Sequence, residues 1–324
     1  MRVLITGAAG LLGSCLARHL TENGFSVRAL LDPAQDTPSL EDPGIERASG
    51  VILDPESVLA ALNGIQAVFH CDLADLFWPQ RSASVRAHNV EGTRNLLVAM
   101  ARAGVEDLVN VGSAFSFGAG TIEEPGTEET PYDGERFGLA CLDSTHSAQE
   151  LVLRFNETGR VRCVVVNPSL VIGAGAGHQG TFAELLEYVA AGNRTYPSGG
   201  INVVSAADVS RAALKAFGRG KAGRCYILGS ENLTYHELFK KVAISLGVPV
   251  PARRASDANV LARGLAGSLS GRLTGKRPTL ALGLSRLAVT PMYYSSDRSA
   301  RELEFSPDPV DTAIDEACRS FAGR

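Results

Sequence analysis

"RVLITGAAGLLGSCLARHL", residues 2–20, decides the fold. Arg2–Ile5 is a β-branched and leucine run that reads as a strand. Leu12, Leu16 and Leu20 then recur on one face at helical spacing. Between the two, Gly7, Gly10 and Gly13 stand three residues apart. A strand-to-helix turn asks for glycine on three grounds. One position takes an unusual φ, a second lets the backbone touch a pyrophosphate, and a third lets helix pack on strand. The helix N-terminus then faces the phosphates, where its unpaired N–H groups and dipole favour an anion. Gly7, Ala9, Gly10, Leu11, Leu12 and Gly13 are therefore candidate contacts to a dinucleotide. Arg2 and the apolar run to Cys15 also have the outline of an export signal, but such a signal has no use for regularly spaced glycines.

Further along, "FSVRALLD" (25–32) reads as a second strand, closed by Asp32 about twenty residues after the loop. A carboxylate there can accept both hydroxyls of the adenosine ribose and repels a 2′-phosphate, which favours NAD(H) while leaving NADP(H) open. A competing reading has Asp32-Pro33 merely opening a turn. Arg28 argues for NADP(H) only if it reaches the site, and alternation along the strand does not decide that. A helix from Ser57 to Asn63, the strand "AVFH" (67–70) and the helix "NVEGTRNLLVAMARAG", ended by Gly104, come next. "DLVNVGS" (107–113) and "VRCVVVNPS" (161–169) are further apolar strands. Strands without clean alternation, separated by helices, imply a parallel sheet covered on both faces. The expected fold is α/β: a Rossmann-type doubly wound parallel sheet with a smaller C-terminal lobe. Residues 1–170 and 201–229, including the α/β return at "INVVSAADVSRAALKAF", fall to the dinucleotide-binding domain. Residues 171–200 and 230–324 fall to a substrate-binding lobe.

A chain of 324 residues with 45% apolar and 20% charged side chains is long enough for one large domain and a lobe. A net charge of −4 gives no electrostatic reason to expect nucleic acid or an anionic membrane as partner. Six scattered cysteines without a CxxC fit reduced thiols in a cytoplasm better than disulfides, and no metal-ligand spacing occurs.

Together these segments resemble the extended short-chain dehydrogenase/reductase family, its dihydroflavonol-reductase-like and epimerase-like members above all. The likeness runs almost end to end. "TGAAGLLG" resembles the family's TGxxGxxG, "VFHCDLADLFW" its fourth strand, and "HNVEGTRNLL" its NVxGTxNLL helix. "NVGSAFSFG" resembles the SSxAxxxG segment and puts Ser113 where the family has a catalytic serine. "VVVNPSLVIG" resembles RPSxVxG beside the nicotinamide, and "GRCYILGSENLT" and "PMYYSSDRSARELEFSP" resemble C-terminal landmarks. The resemblance implies that Ile52, Leu73, Thr145, Pro168 and Val171 join the glycine loop and Asp32 around the cofactor.

The resemblance breaks in "LACLDSTHSAQELVLRFN" (139–156). The family's YxxSKxxAE helix aligns on Ser144 and Ala148, but Cys141 stands for the tyrosine and Thr145 for the lysine. That lysine ordinarily lowers the tyrosine pKa and binds the nicotinamide ribose. Cys141 reads as a small buried residue, and Thr145 keeps a hydrogen bond to the ribose without a charge. Asp72 replaces a small residue near the cofactor, and Val51 an aspartate near adenine. A YxxxR at Tyr132 and Arg136 sits among Pro131 and Gly134 and reads as a solvated acidic loop.

A lost general acid is worth about 10²–10⁴ in rate, whereas holding hydride donor and carbonyl in reacting geometry is worth about 7–11 kcal/mol. Reduction therefore survives without the tyrosine if substrate or water supplies the proton, with Ser113 polarising the carbonyl. Sugar epimerisation, which needs a tuned base, suffers more. The expectation is an NAD(P)H-dependent ketoreductase with Ser113 and Thr145 at the reacting end. The resemblance to atypical members that act on aromatic polyketides in antibiotic biosynthesis points to a bulky aromatic (angucyclinone-like) ketone. A non-catalytic dinucleotide sensor and a nucleotide-sugar epimerase are the alternatives, and a homodimer is left open. The stretch 253–273 is either an amphipathic cover over the pocket or a solvated helix.

Overall fold

A computed structural model of the chain describes residues 1–34, 40, 44–74, 82–174, 181–276, 278 and 280–323. Its centre is a seven-stranded parallel sheet. Six strands are β1 (Arg2–Thr6), β2 (Ser26–Leu31), β3 (Ile45–Ser49), β4 (Ala67–His70), β5 (Asp107–Val111) and β6 (Arg162–Pro168). In space they run β3-β2-β1-β4-β5-β6, and Cys225–Leu228 adds to β6 at the far edge. Val3 pairs with Val27 on one side and Ala67 on the other. Val3, Leu4 and Ile5 are 0% exposed. Successive side chains point to opposite faces, so both faces must be covered. Val3 and Ile5 pack with Leu16 and Leu20 of α1 (Leu11–Glu22) and with the helix Ala206–Arg219. Leu4 packs on the other side with α2 (Pro55–Ala61) and α4 (Thr93–Ala103).

Two differences from the sequence reading matter, and a third point decides between alternatives that the sequence left open. The helix expected from Asn89 begins earlier, as α3 (Ser82–Arg86), and passes through one wide π turn (Ala87–Gly92) before α4. Such turns leave no trace in apolar periodicity and recur at functional sites. The strand of the 201–229 segment, Gly200–Ser205, does not join the main sheet. It forms a second sheet with β7 (Leu170–Ile172), Glu231–Thr234 and Pro291–Met292. An apolar run such as "INVV" says that a strand is buried, not which sheet buries it. The helix Ala206–Arg219 and Cys225–Leu228 do return to the main sheet. Third, helix 257–274 buries only Gly264 and Gly271 and leaves Leu265, Leu269 and Leu273 in solvent, as a solvated helix does. Part of "VFHCDLADLFW", residues 75–78, lies outside the described residues, as do 175–180 of the glycine-rich stretch after β7.

Candidate active site

Strand order reverses between β1 and β4, and doubly wound sheets bind their ligands at the carboxyl ends of the strands at such a point. The glycine loop lies there. Gly7 has φ of 69°, a conformation that costs any other residue. A Cβ on Gly7 would lie 2.6 Å from the Cys71 backbone, and one on Gly13 would lie 2.2 Å from the Gly7 carbonyl oxygen. Loop, helix and the segment leaving β4 thus approach one another more closely at these two positions than any side chain would allow. Gly10 is different. It is exposed, and an added methyl would meet only the Gly7 oxygen, at 3.3 Å. It is the N-cap of α1 and offers no side-chain cap to the first N–H groups. An open, uncapped helix start with a bare backbone fits a pyrophosphate.

Asp32 leaves β2 with Oδ1 accepting from Ala34 N at 2.8 Å. It opens a turn and still stands beside the loop. Arg28 is settled: its guanidinium donates to the Ala61 and Asn63 carbonyls at 2.7 and 2.8 Å and pairs with Glu46. It caps the end of α2 and is committed away from the glycine loop. Ile52 is buried, its side chain against Gly92 and its carbonyl accepting from Asn95. Leu73 donates to Cys71 in a tight turn after β4. Pro168 ends β6, and Val171 lies one step on, in β7. Gly7–Gly13, Asp32, Ile52, Leu73, Ser113 and Pro168 thus lie at one edge of the sheet, at the ends of β1 to β6.

At the reacting end, Ser113 caps a short turn, its Oγ accepting from Phe115 N at 3.2 Å. The Ser113 carbonyl accepts from Asn167 Nδ2 at 3.0 Å, and the same amide donates to Gln149 of α5 (Ala140–Glu157) at 2.5 Å. The backbone of Ser113 is therefore fixed, while its hydroxyl proton stays available to a carbonyl oxygen. Cys141 and Thr145 are 3% and 8% exposed. Cys141 packs among Ala114, Phe137, Leu139 and Leu142.

Sequence reasoning missed what links these parts. Thr6 Oγ1 lies 2.6 Å from His70 Nδ1, and His70 Nε2 lies 3.1 Å from Thr93 Oγ1. Thr93 donates to the Asn89 carbonyl at 2.6 Å. The Asn89 amide then donates to Ala74, to Ser144 Oγ at 2.9 Å and to Thr145 Oγ1 at 3.5 Å, while its oxygen accepts from Ala74 N. Because the Thr93 proton is used on Asn89, His70 donates from Nε2, and with the ring neutral its Nδ1 accepts from Thr6. That is the neutral tautomer, and burial depresses its pKa to about 4. A buried polar chain thus runs from the glycine strand to Thr145. The "HNVEGT" motif pointed to Asn89 without giving its task.

Tyr132 corrects an expectation. It is packed rather than solvated, stacked on His146 at 4.1 Å between ring centroids, and its hydroxyl donates to Asp143 at 2.6 Å. Burial, then the Asp143 carboxylate, push its pKa well above the phenol range. A phenol that gives its proton to a carboxylate on another stripe of α5 is no replacement for the missing acid.

A model of the NAD dependent epimerase/dehydratase family matches residues 3–229. The 2-alkyl-3-oxoalkanoate reductase of Stenotrophomonas maltophilia is 29% identical, covering 98% of this chain and 98% of its own. The 3-beta-hydroxysteroid dehydrogenase of Mycolicibacterium neoaurum is 29% identical over 94% of this chain and 87% of its own. Among solved structures, that of gox2253 has a TM-score of 0.87 at 30% identity, covering 99% of this chain and 98% of that one. The UDP-glucose 4-epimerase of Thermus thermophilus in complex with NAD, at 20% identity, has a TM-score of 0.80 over 100% and 99% of the two chains. This last likeness is one of fold. No helix among the described residues is long and apolar enough to cross a membrane.

Proposed function

The chain belongs to the NAD dependent epimerase/dehydratase family, and from that premise we propose that it is an NADH-dependent ketoreductase whose substrate is a bulky aromatic ketone and whose proton does not come from a tyrosine. The observation that carries this reading is the state of the reacting end. Ser113 is held with its hydroxyl free to polarise a carbonyl, while Cys141 is sealed among apolar side chains. Bound NADH would supply the hydride. Gly7, Ala9, Gly10, Leu11, Leu12 and Gly13 would hold the pyrophosphate, Asp32 the adenosine ribose, Ile52 and Leu73 the adenine side. Thr145 would hold the nicotinamide ribose, with Pro168 and Val171 beside the ring. The relatives named as a 2-alkyl-3-oxoalkanoate reductase and a 3-beta-hydroxysteroid dehydrogenase support a keto or hydroxy group on a bulky substrate, and the lobe of residues 171–200 and 230–324 would receive it.

Two expectations test the reading. NADH, and not NADPH, should be consumed with flat aromatic ketones, and calorimetric titration should give tighter binding of NADH. Tighter NADPH binding would take Asp32 off the ribose. Tight NADH binding without oxidation by any ketone would leave a sensor. Second, Cys141→Ala should keep turnover within about tenfold, since a working general acid is worth about 10²–10⁴. A larger fall with the circular dichroism spectrum intact would make Cys141 the acid.

A further inference from the structure

The sheet order sets β1 between β2 and β4, so the glycine loop is flanked by the segments that leave those two strands. Each segment carries a carboxylate, Asp32 after β2 and Asp72 after β4. A methyl on Gly7 would lie 2.7 Å from the Asp72 Cα, which sets Asp72 directly against the loop. A pyrophosphate laid on this loop therefore comes down between two negative charges. The π turn answers them: it presents His88, whose Nε2 lies 2.9 Å from Asp72 Oδ1, with both side chains partly exposed.

Building on the dinucleotide reading above, we infer that His88 is a cofactor-positioning residue, the imidazolium countercharge that lets an anionic dinucleotide settle on a loop flanked by Asp32 and Asp72, so that a proton binds together with the dinucleotide.

The groups that face His88 divide cleanly. The hydrogen bond from Asp72 raises the His88 pKa, burial opposes it, and the charges of Asp72 and Asp32 add to the rise. Burial works against the Asp72 charge, but the hydrogen bond and the positive charge of His88 hold its pKa below the usual range. His70 sits at about 4 through burial and stays neutral. Cys71 is pushed up to about 12, again by burial, and stays a thiol. His88 is thus the base among them whose positive charge is favoured, its pKa raised from the ordinary imidazole value. Its folded-state pKa is raised, so the countercharge is present at low pH and lost as pH rises through that value.

Calorimetric titration of the intact protein with NAD⁺ between pH 5.5 and 8.5, in two buffers of different ionisation enthalpy, reads this directly. Affinity should fall about three- to tenfold as pH rises, the effect of a pKa difference of about half to one unit, with a fraction of a proton taken up on binding. His88→Gln should bind more weakly at pH 6 by a similar factor, with a flat profile and no proton uptake. Asp72→Asn should bind more tightly throughout, with its step moved to lower pH because His88 has lost its partner. A wild-type protein that binds NAD⁺ with a flat profile and no proton uptake would overturn the role of His88 alone. So would a His88→Gln variant that keeps the wild-type slope. A wild-type protein that binds no dinucleotide at any pH would overturn the dinucleotide reading and this inference with it.

Discussion

Replacing Gly10 by alanine should leave the melting temperature unchanged and lower affinity for NADH by on the order of a hundredfold. The neighbouring change, Gly13→Ala, should lower both. The contrast follows from what each added methyl would meet. At Gly13 it would lie 2.2 Å from the Gly7 carbonyl oxygen and 2.8 Å from the Ala8 Cα. Those are backbone atoms in the loop itself, so α1 must move off β1, an overpacking cost of about 3 kcal/mol. At Gly10 the backbone has φ of −75°, which alanine adopts freely, and the methyl would meet only the Gly7 carbonyl oxygen, at 3.3 Å, a contact that a shift of a few tenths of an ångström relieves. The only thing it displaces is a ligand brought against the bare backbone, where a lost close contact of about 2.7 kcal/mol is roughly a hundredfold. Thermal unfolding followed by calorimetric titration separates the two. If Gly10→Ala binds NADH as well as wild type does, the phosphate is not on this loop.

The glycines are legible in the sequence because a backbone that must come within van der Waals contact of another backbone admits one residue type. The same holds for the central strands, where burial on both faces forces runs such as "RVLIT" and "RCVVVNP". What escaped the sequence was relational. Asn89 and His70 are ordinary residues of a helix start and a strand end. Only the π turn and the register of β4 against β1, with Thr6 opposite His70, bring them into one hydrogen-bonded chain. Arg28 illustrates the converse: strand alternation left two directions open, and the end of α2 with its carbonyls chose one. The strand Gly200–Ser205 was recognisable as a strand, but its sheet was decided by β7 and residues 291–292, far away in the chain.

A ketone with an acidic hydroxyl beside its carbonyl should be reduced about 10²–10⁴ times faster than the same ketone with that hydroxyl methylated. When hydride adds to the carbonyl carbon, the π pair moves onto oxygen, and that oxygen must gain one proton. Ser113 can stabilise the developing charge, but its hydroxyl is no net acid, because among the described residues the side-chain hydrogen bond it makes is one it accepts, from Phe115 N. Tyr132 is spent on Asp143 and its pKa is raised. Cys141 is buried in the apolar cluster, and Thr145, which accepts from the Asn89 amide, is an aliphatic hydroxyl no more acidic than Ser113. The candidates left are water, with a pKa of about 15.7, and a phenol or enol on the substrate, at about 10 for a phenol. A general acid positioned at the reacting oxygen is worth about 10²–10⁴, and a hydroxyl on the adjacent ring carbon arrives already positioned. The measurement is NADH oxidation by the matched pair under single-turnover conditions, with the stereochemistry of both products compared so that a changed binding pose is recognised. The same product configuration with a rate gap of this size would assign the proton to the substrate. Equal rates would move the donor to water admitted beside Ser113, and would make the loss of tyrosine a matter of solvent access rather than of substrate choice.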